Sequence, residues 1–171
     1  MNGLIWKIIP HVDLSIHDGL KIAELKNMHW PYGIDSQIKW MNANVKEGDF
    51  HLMGFDSRHR LTAYLTIVRL SIMLGEKKEN VLGIGGVCVD RNVEHSGYGK
   101  SLVQEANRFI SNEGLKGLLL CKDELVGFYE KCNWLNVDFS NAIVDGKIFS
   151  HRIMAYPNAI ECSSMSIDRN F

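Results

Sequence analysis

The chain has 171 residues, 46% of them apolar, with 19 basic and 20 acidic side chains and a formal net charge of −1. That length suits one domain, and a domain of this size buries enough apolar surface to need no disulfide or metal staple. The balanced charge excludes the general electrostatic pull of a nucleic-acid or anionic-membrane binder. No apolar stretch approaches the roughly 20 residues that span a bilayer. The opening MNGLIWKIIPHVD has one lysine and no small-residue cleavage site, so it reads as a strand and not as a signal peptide. The expectation is a soluble, cytoplasmic protein. Its cysteines, Cys88, Cys121, Cys132 and Cys162, form no CxxC pair, and its seven histidines fall into no ligand spacing. Small buried thiols and no bound metal are expected.

Residues 4–11 carry Ile and Trp in weak alternation and predict a strand. Gly19 to Trp30 predicts a helix with Leu20, Ile22, Ala23, Leu25 and Met28 on its apolar side, closed by Pro31 and Gly33. A second short helix over 34–45 shares Ile34, Ile38 and Met41 on one face. FHLMGFD (50–56) and the long run 61–74 predict two strands joined by the polar turn DSRHR, and a turn over 75–80 leads to a strand over 81–90. The period then changes: Tyr98, Leu102, Val103, Ala106, Phe109 and Ile110 recur at helical spacing until Gly114. A buried-type strand over 115–121, a helix over 123–132, a strand over 134–139 and a hairpin through Asp145-Gly146-Lys147 into 148–156 complete the core. The tail from 157 is polar, and its structure is left open. The order implies an α+β class, a mixed sheet with helices on both faces, in a single domain over 1–171 with its core at about 4–156.

Chemistry concentrates in VLGIGGVCVDRNVEHSGYGKSLVQEANRFI, a strand, a glycine-containing turn and a helix start. That arrangement turns free backbone N–H groups and the positive end of a helix toward an anion. Gly97 and Gly99 remove side chains where a phosphate must approach; Lys100 adds charge, and Ser96 and Ser101 add hydroxyls. A P-loop requires a glycine where Glu94 stands. A dinucleotide fingerprint requires one where Leu102 stands.

Glu94-His95-Ser96-Gly97-Tyr98-Gly99 resembles the acetyl-CoA motif of the GNAT acetyltransferases, [QR]-x-x-G-x-[GA], at both glycines. The preceding Gly86-Val87-Cys88-Val89-Asp90 is similar to the family's fourth strand, and FYEKCNW (128–134) is similar to its tyrosine segment, with Tyr129 on the tyrosine. The order of elements also follows the family's. The resemblance implies a GNAT-like, mostly antiparallel twisted mixed sheet and an N-acetyltransferase using acetyl-CoA as co-substrate. It implies that Val87, Cys88 and Val89 orient the thioester through their backbone, and that His95, Ser96, Gly97, Tyr98, Gly99, Lys100 and Ser101 hold the pyrophosphate, with Glu94 opening the cofactor segment and turned to solvent or opposing the anion. Tyr129 would protonate the leaving thiolate. Two departures stand out: Glu94 replaces the motif's Arg or Gln, and Asn133 replaces the glycine before Trp134.

Each role has a plainer counterpart. Tyr129 between Phe128 and Trp134 is also a packed aromatic, Cys88 between valines is an inert core thiol rather than a nucleophile, and His95 and Lys100 also suit a solvated surface. Asp35 and Asp90 are candidate bases for the acceptor amine and ordinary surface acids as well. The aminoglycoside 2′-N-acetyltransferase branch looks most similar in its long strands, FYEKCNW segment and following hairpin. That branch has an acidic pair position on the fourth strand where this chain carries Gly85-Gly86, so Gly85, Gly86 and Asp35 are the candidate acceptor-side residues for a small-molecule amine. Acyltransferases of amino sugars, a protein N-acetyltransferase and a non-catalytic acyl-CoA-binding module remain open alternatives, as does a homodimer.

Overall fold

The computed structural model describes residues 3–171, which gather into two compact units. The first takes the chain to Val68 together with Gly85–Glu105, and the second takes Arg69–Ile84 together with Ala106–Phe171. Among the described residues no helix is long and apolar enough to cross a membrane.

In the first unit, β1 (Ile5–Pro10) pairs antiparallel with β2 (Phe50–Phe55), and β2 pairs antiparallel with the first half of β3 (Leu61–Leu74). Helix α1 (Ile16–His29) starts three residues before the position read from the sequence, because Ser15 caps it by accepting from the Asp18 N–H at 3.0 Å. Its buried stripe is Gly19, Ile22, Ala23 and Lys26, with Leu25 alongside, at the i, i+3, i+4, i+7 spacing of one helical face. Leu20 and Met28, expected on that face, are about 40% exposed. Helix α2 (Ile34–Asn44) follows Gly33, whose φ of +91° only glycine adopts without strain. It buries Met41 and Gln37, while Ile34 and Ile38 are half-buried. Ile22, Leu25, Met41, Val45, Met53 and Tyr64 pack into one core with Cys88, each large apolar side chain contributing about 2 kcal/mol by its removal from water.

In the second unit the strand order is β6-β9-β5-β4-β3-β10-β7-β8. These are β4 (Lys77–Val89), β5 (Lys116–Cys121), β6 (Leu135–Asn136), β7 (Asn141–Val144), β8 (Lys147–Ile148), β9 (Arg152–Tyr156) and β10 (Ser164–Ile167). The β4–β5 ladder is parallel and runs Val81–Ile84 against Lys116–Leu119. Helix α3 (Tyr98–Asn112) ends as expected before Gly114, at φ +67°. The expected helix over 123–132 is a 3-10 turn at Asp123–Leu125 followed by the short α4 (Val126–Glu130).

Three expectations are corrected here, and the tail gains an element. β4 begins at Lys77, because the turn consumes only Gly75 and Glu76. The strand expected over 134–139 pairs only at Leu135–Asn136. The segment 148–156 breaks: Ile148 closes a hairpin with β7, and β9 pairs instead with β5 and β6. The tail contains β10, parallel to β7 and antiparallel to β3, with Met165 and Ile167 buried.

Candidate functional site

In the first unit, β4 passes Gly85 and reaches Gly86, whose φ of +60° puts a left-handed kink into the strand. Val87 and Val89 are half-buried after it, and Cys88 points into the core. Burial pushes the Cys88 thiol up to about 12, against a smaller downward pull from Lys26, so the group is a neutral thiol and not a nucleophile. The end of β4 is pinned at both sides of its backbone. The His29 ring donates from Nε2 to the Val89 carbonyl at 2.6 Å, and the Asp90 N–H donates to the Thr62 carbonyl at 2.8 Å.

Asp90 then caps a 3-10 turn over Arg91–Val93, its Oδ1 accepting from both the backbone and the side-chain nitrogen of Asn92 at 2.8 Å. The chain turns through His95 at φ +64° and Gly97 at φ +88° into the first residues of α3. A Cβ built on Gly97 would meet nothing within 4 Å, so its backbone lies open to a close approach. The N–H groups of Tyr98, Gly99 and Lys100 have no carbonyl four residues back inside the helix and face outward from its positive end. The first helical bond is Ser101 N–H to the Gly97 carbonyl at 3.0 Å. This cradle fits a pyrophosphate.

The two serine hydroxyls expected to serve it are engaged elsewhere. Ser96 donates to the Val93 carbonyl, and Ser101 donates to the Gly97 carbonyl at 3.2 Å. Each hydroxyl oxygen is left as an acceptor, and the donors that remain along the loop are backbone N–H groups and the exposed Lys100. His95 is exposed. Glu94, also exposed, lies 4.0 Å from His29 Nδ1, an ion pair whenever that ring is protonated. A surface cavity of about 440 Å³ adjoins Tyr98 and is lined also by Arg58, Arg60, Thr62, Asp90 and Val93. Asp35 is exposed in the first turn of α2, and no hydrogen bond or ion pair among the described residues joins it to Gly85 or Gly86.

Sequence reading missed Lys26, which lies beside Gly86. A methyl group built on Gly86 would have Lys26 Nζ 4.0 Å away and Thr66 Oγ1 3.8 Å away. The helical phase shows it only once the start of α1 is known. Starting the α1 stripe at Gly19 instead of Leu20 places Lys26 on it. Nothing in the local pattern signalled His51, which is fully buried on β2 and bonded to His11 and Tyr64.

Tyr129 belongs to the second unit and lies in the last turn of α4. Its ring is buried edge-on to Phe128, with centroids 5.0 Å apart, and its carbonyl accepts from the Cys132 and Trp134 N–H groups. Asn133, in the place of the family glycine, adopts φ +66° and closes that turn. Burial raises the Tyr129 phenol well above its ordinary value, and Cys121 and Cys132 add to the rise, so it carries its proton at neutral pH. No group of three His, Cys, Asp or Glu side chains among the described residues is placed to hold a metal.

A sequence model described as the acetyltransferase (GNAT) family matches residues 22–134. No curated protein matches the chain in sequence. Solved structures are similar in fold. Escherichia coli ElaA shares 16% identity at a TM-score of 0.64, over 89% of this chain and 98% of that one. An acyl-CoA N-acyltransferase from Pseudomonas aeruginosa shares 18% at 0.63, over 89% and 98%. An aminoglycoside 6′-N-acetyltransferase complexed with coenzyme A shares 14% at 0.64, over 87% and 95%.

Proposed function

The chain belongs to the acetyltransferase (GNAT) family and is an N-acetyltransferase of that kind, and from that premise we propose that it acts over residues 1–171 as a single functional domain that acetylates the primary amine of a small molecule. Acetyl-CoA supplies the acyl group as a thioester. The amine nitrogen forms a bond to the acetyl carbon, the carbon–sulfur bond breaks, the amine loses a proton and the departing thiolate gains one. The chain's contribution is to place the reactants and to handle those protons.

The observation that carries this reading is the loop at Gly97. Its open left-handed backbone leads straight into the free N–H groups of Tyr98, Gly99 and Lys100, which suits a pyrophosphate. His95 and Lys100 border it, and Ser96 and Ser101 brace it through backbone carbonyls. Glu94 is compatible with this use because His29 is its neighbour. Val87, Cys88 and Val89 would orient the thioester by their backbone, after the kink at Gly86. Tyr129 would protonate the thiolate; its raised phenol pKa keeps the proton available at neutral pH.

Calorimetric titration of the purified protein with acetyl-CoA tests the site. Micromolar binding is expected, and Gly97→Glu should abolish it by placing a carboxylate in the phosphate cradle. Absence of binding to the unaltered protein would defeat the proposal. Tyr129→Phe should lower turnover by about 100-fold or more while acetyl-CoA affinity stays the same; an unchanged rate would leave Tyr129 as packing only. Amino sugars are among the acceptors to screen. The aminoglycoside 2′ resemblance does not extend to the drug, because Gly85-Gly86 stands where that branch carries an acid.

A further inference from the structure

Burying an ammonium without a counter-ion is strongly unfavourable. Lys26 is 8% exposed, and the influences that shift its pKa are its own burial and Cys88, with no carboxylate among them. Its Nζ sits 4.4 Å from the centre of the Trp40 ring, which offsets part of the lost hydration but carries no charge. The thiol of Cys88, also nearby, is neutral. Burial lowers the Lys26 pKa below the usual lysine value, with Cys88 opposing, so the fold leaves beside Gly86 an amine whose charged form a bound anion would stabilise.

A second donor borders the same gap. Thr66 Oγ1 is hydrogen-bonded to the Tyr64 hydroxyl at 2.8 Å, Tyr64 to His51 Nδ1 at 2.8 Å, and His51 Nε2 to His11 Nδ1 at 2.9 Å. With neutral imidazoles the chain can be donated in one direction, from His11 to His51 to Tyr64 to Thr66. The Thr66 proton is then free to point at the gap. A chain of aligned hydroxyls and imidazoles strengthens its last donor.

From this arrangement we propose that Lys26 and Thr66 bind a carboxylate of the acceptor. The acceptor is then a primary amine bearing a carboxylate close to its reacting nitrogen, as in an amino acid. The inference rests on the N-acetyltransferase reading above. A single ammonium with one hydroxyl matches a singly charged carboxylate better than a phosphate dianion. Thr66 Oγ1 and Lys26 Nζ would stand 3.8 and 4.0 Å from a Cβ at Gly86, in ordinary van der Waals contact with it, so both face the space this glycine leaves. The same buried cation disfavours polyamines and aminoglycosides, which would bring further positive charge to it.

Matched acceptors provide the test: glycine, L-alanine, L-methionine and L-glutamate against their α-carboxamides, with thiol release from acetyl-CoA as the readout. At least one amino acid should exceed its carboxamide in kcat/KM by about 100-fold or more. Lys26→Met should bring that ratio below about tenfold while acetyl-CoA affinity is retained, and Lys26→Arg should restore part of it. Equal rates within every pair, acetylation of none of the panel by protein that binds acetyl-CoA, or a preference untouched in Lys26→Met would each overturn the inference and leave the enzyme reading standing. A protein that binds no acetyl-CoA removes that reading, and the inference with it. Should the variants not fold, calorimetry on the unaltered protein decides: N-acetyl amino acids are expected to bind, and binding of their carboxamides with the same affinity would overturn the inference.

Discussion

Protonating His51 would place a charge inside a sealed chain of hydrogen bonds. Burial, with the neighbouring His11, lowers its pKa to about 4, well below the usual value near 6.5. The unfolded chain therefore takes up a proton between pH 6.5 and 4 that the folded one refuses, and stability rises with pH across that window. The full effect is about 3 kcal/mol, present above pH 6.5 and lost as the pH falls toward 4. Chemical denaturation at a series of pH values checks this, and His51→Asn should flatten the slope in that range. A slope unchanged by the variant would assign the acid sensitivity to other groups.

The same residue scale explains why some site positions were readable and others not. Gly97 and Gly99 declare themselves in the sequence because a turn feeding a helix toward an anion needs residues without side chains. Lys26 does not, because an isolated lysine in a helix is ordinarily a surface residue. Only the angular position of α1, fixed by the Ser15 cap and the packing of Ile22 and Leu25, carries that lysine inward.

Elements that bury one continuous stripe were legible, and those decided by partner strands were not. Helix α3 and strands β2, β3 and β5 lie within a residue or two of their expected bounds because their apolar periods are long and unbroken. The 134–139 segment reads as a strand, yet a two-residue ladder is all that β9 offers it. Packing here is tight enough to test. A Cβ on Gly117 of β5 would stand 2.8 Å from the Trp134 ring and 2.9 Å from Ile110 Cδ1, both side chains fully buried. Trp134 has little freedom to move, since its Nε1 donates to Asn107 Oδ1 at 2.8 Å and Asn107 Nδ2 donates to the Cys132 carbonyl at 2.9 Å. Gly117→Ala should therefore destabilise the protein by about 1–3 kcal/mol, read as a lower urea midpoint with an unchanged m-value. A neutral substitution would mean that the Trp134 pocket relaxes.

For the whole molecule, the stretch after Pro157 is structural. It holds Ile160, Met165 and Ile167 in buried positions and supplies β10, which hydrogen-bonds to β3 on one side and β7 on the other. Ending the chain at Tyr156 would expose those positions, each worth about 2 kcal/mol, and leave edges of β3 and β7 unpaired. The truncated protein should be insoluble or melt at least about 10 °C lower, as followed by circular dichroism; an unchanged melting temperature would show that the tail is dispensable.

By itself the sequence determined the α+β class, the order of the main elements and the glycine-containing turn that leads into α3 at Gly97. Those features depend on local physics: the period of apolar residues, the conformations open to glycine, and the free N–H groups at a helix start. Tertiary structure alone decided where the tail pairs, why 148–156 divides between two strands, that Glu94 lies beside His29, and that Lys26 is buried beside Gly86. Each of these joins residues far apart in the chain, and such pairings depend on which surfaces remain to be covered once the local elements have formed.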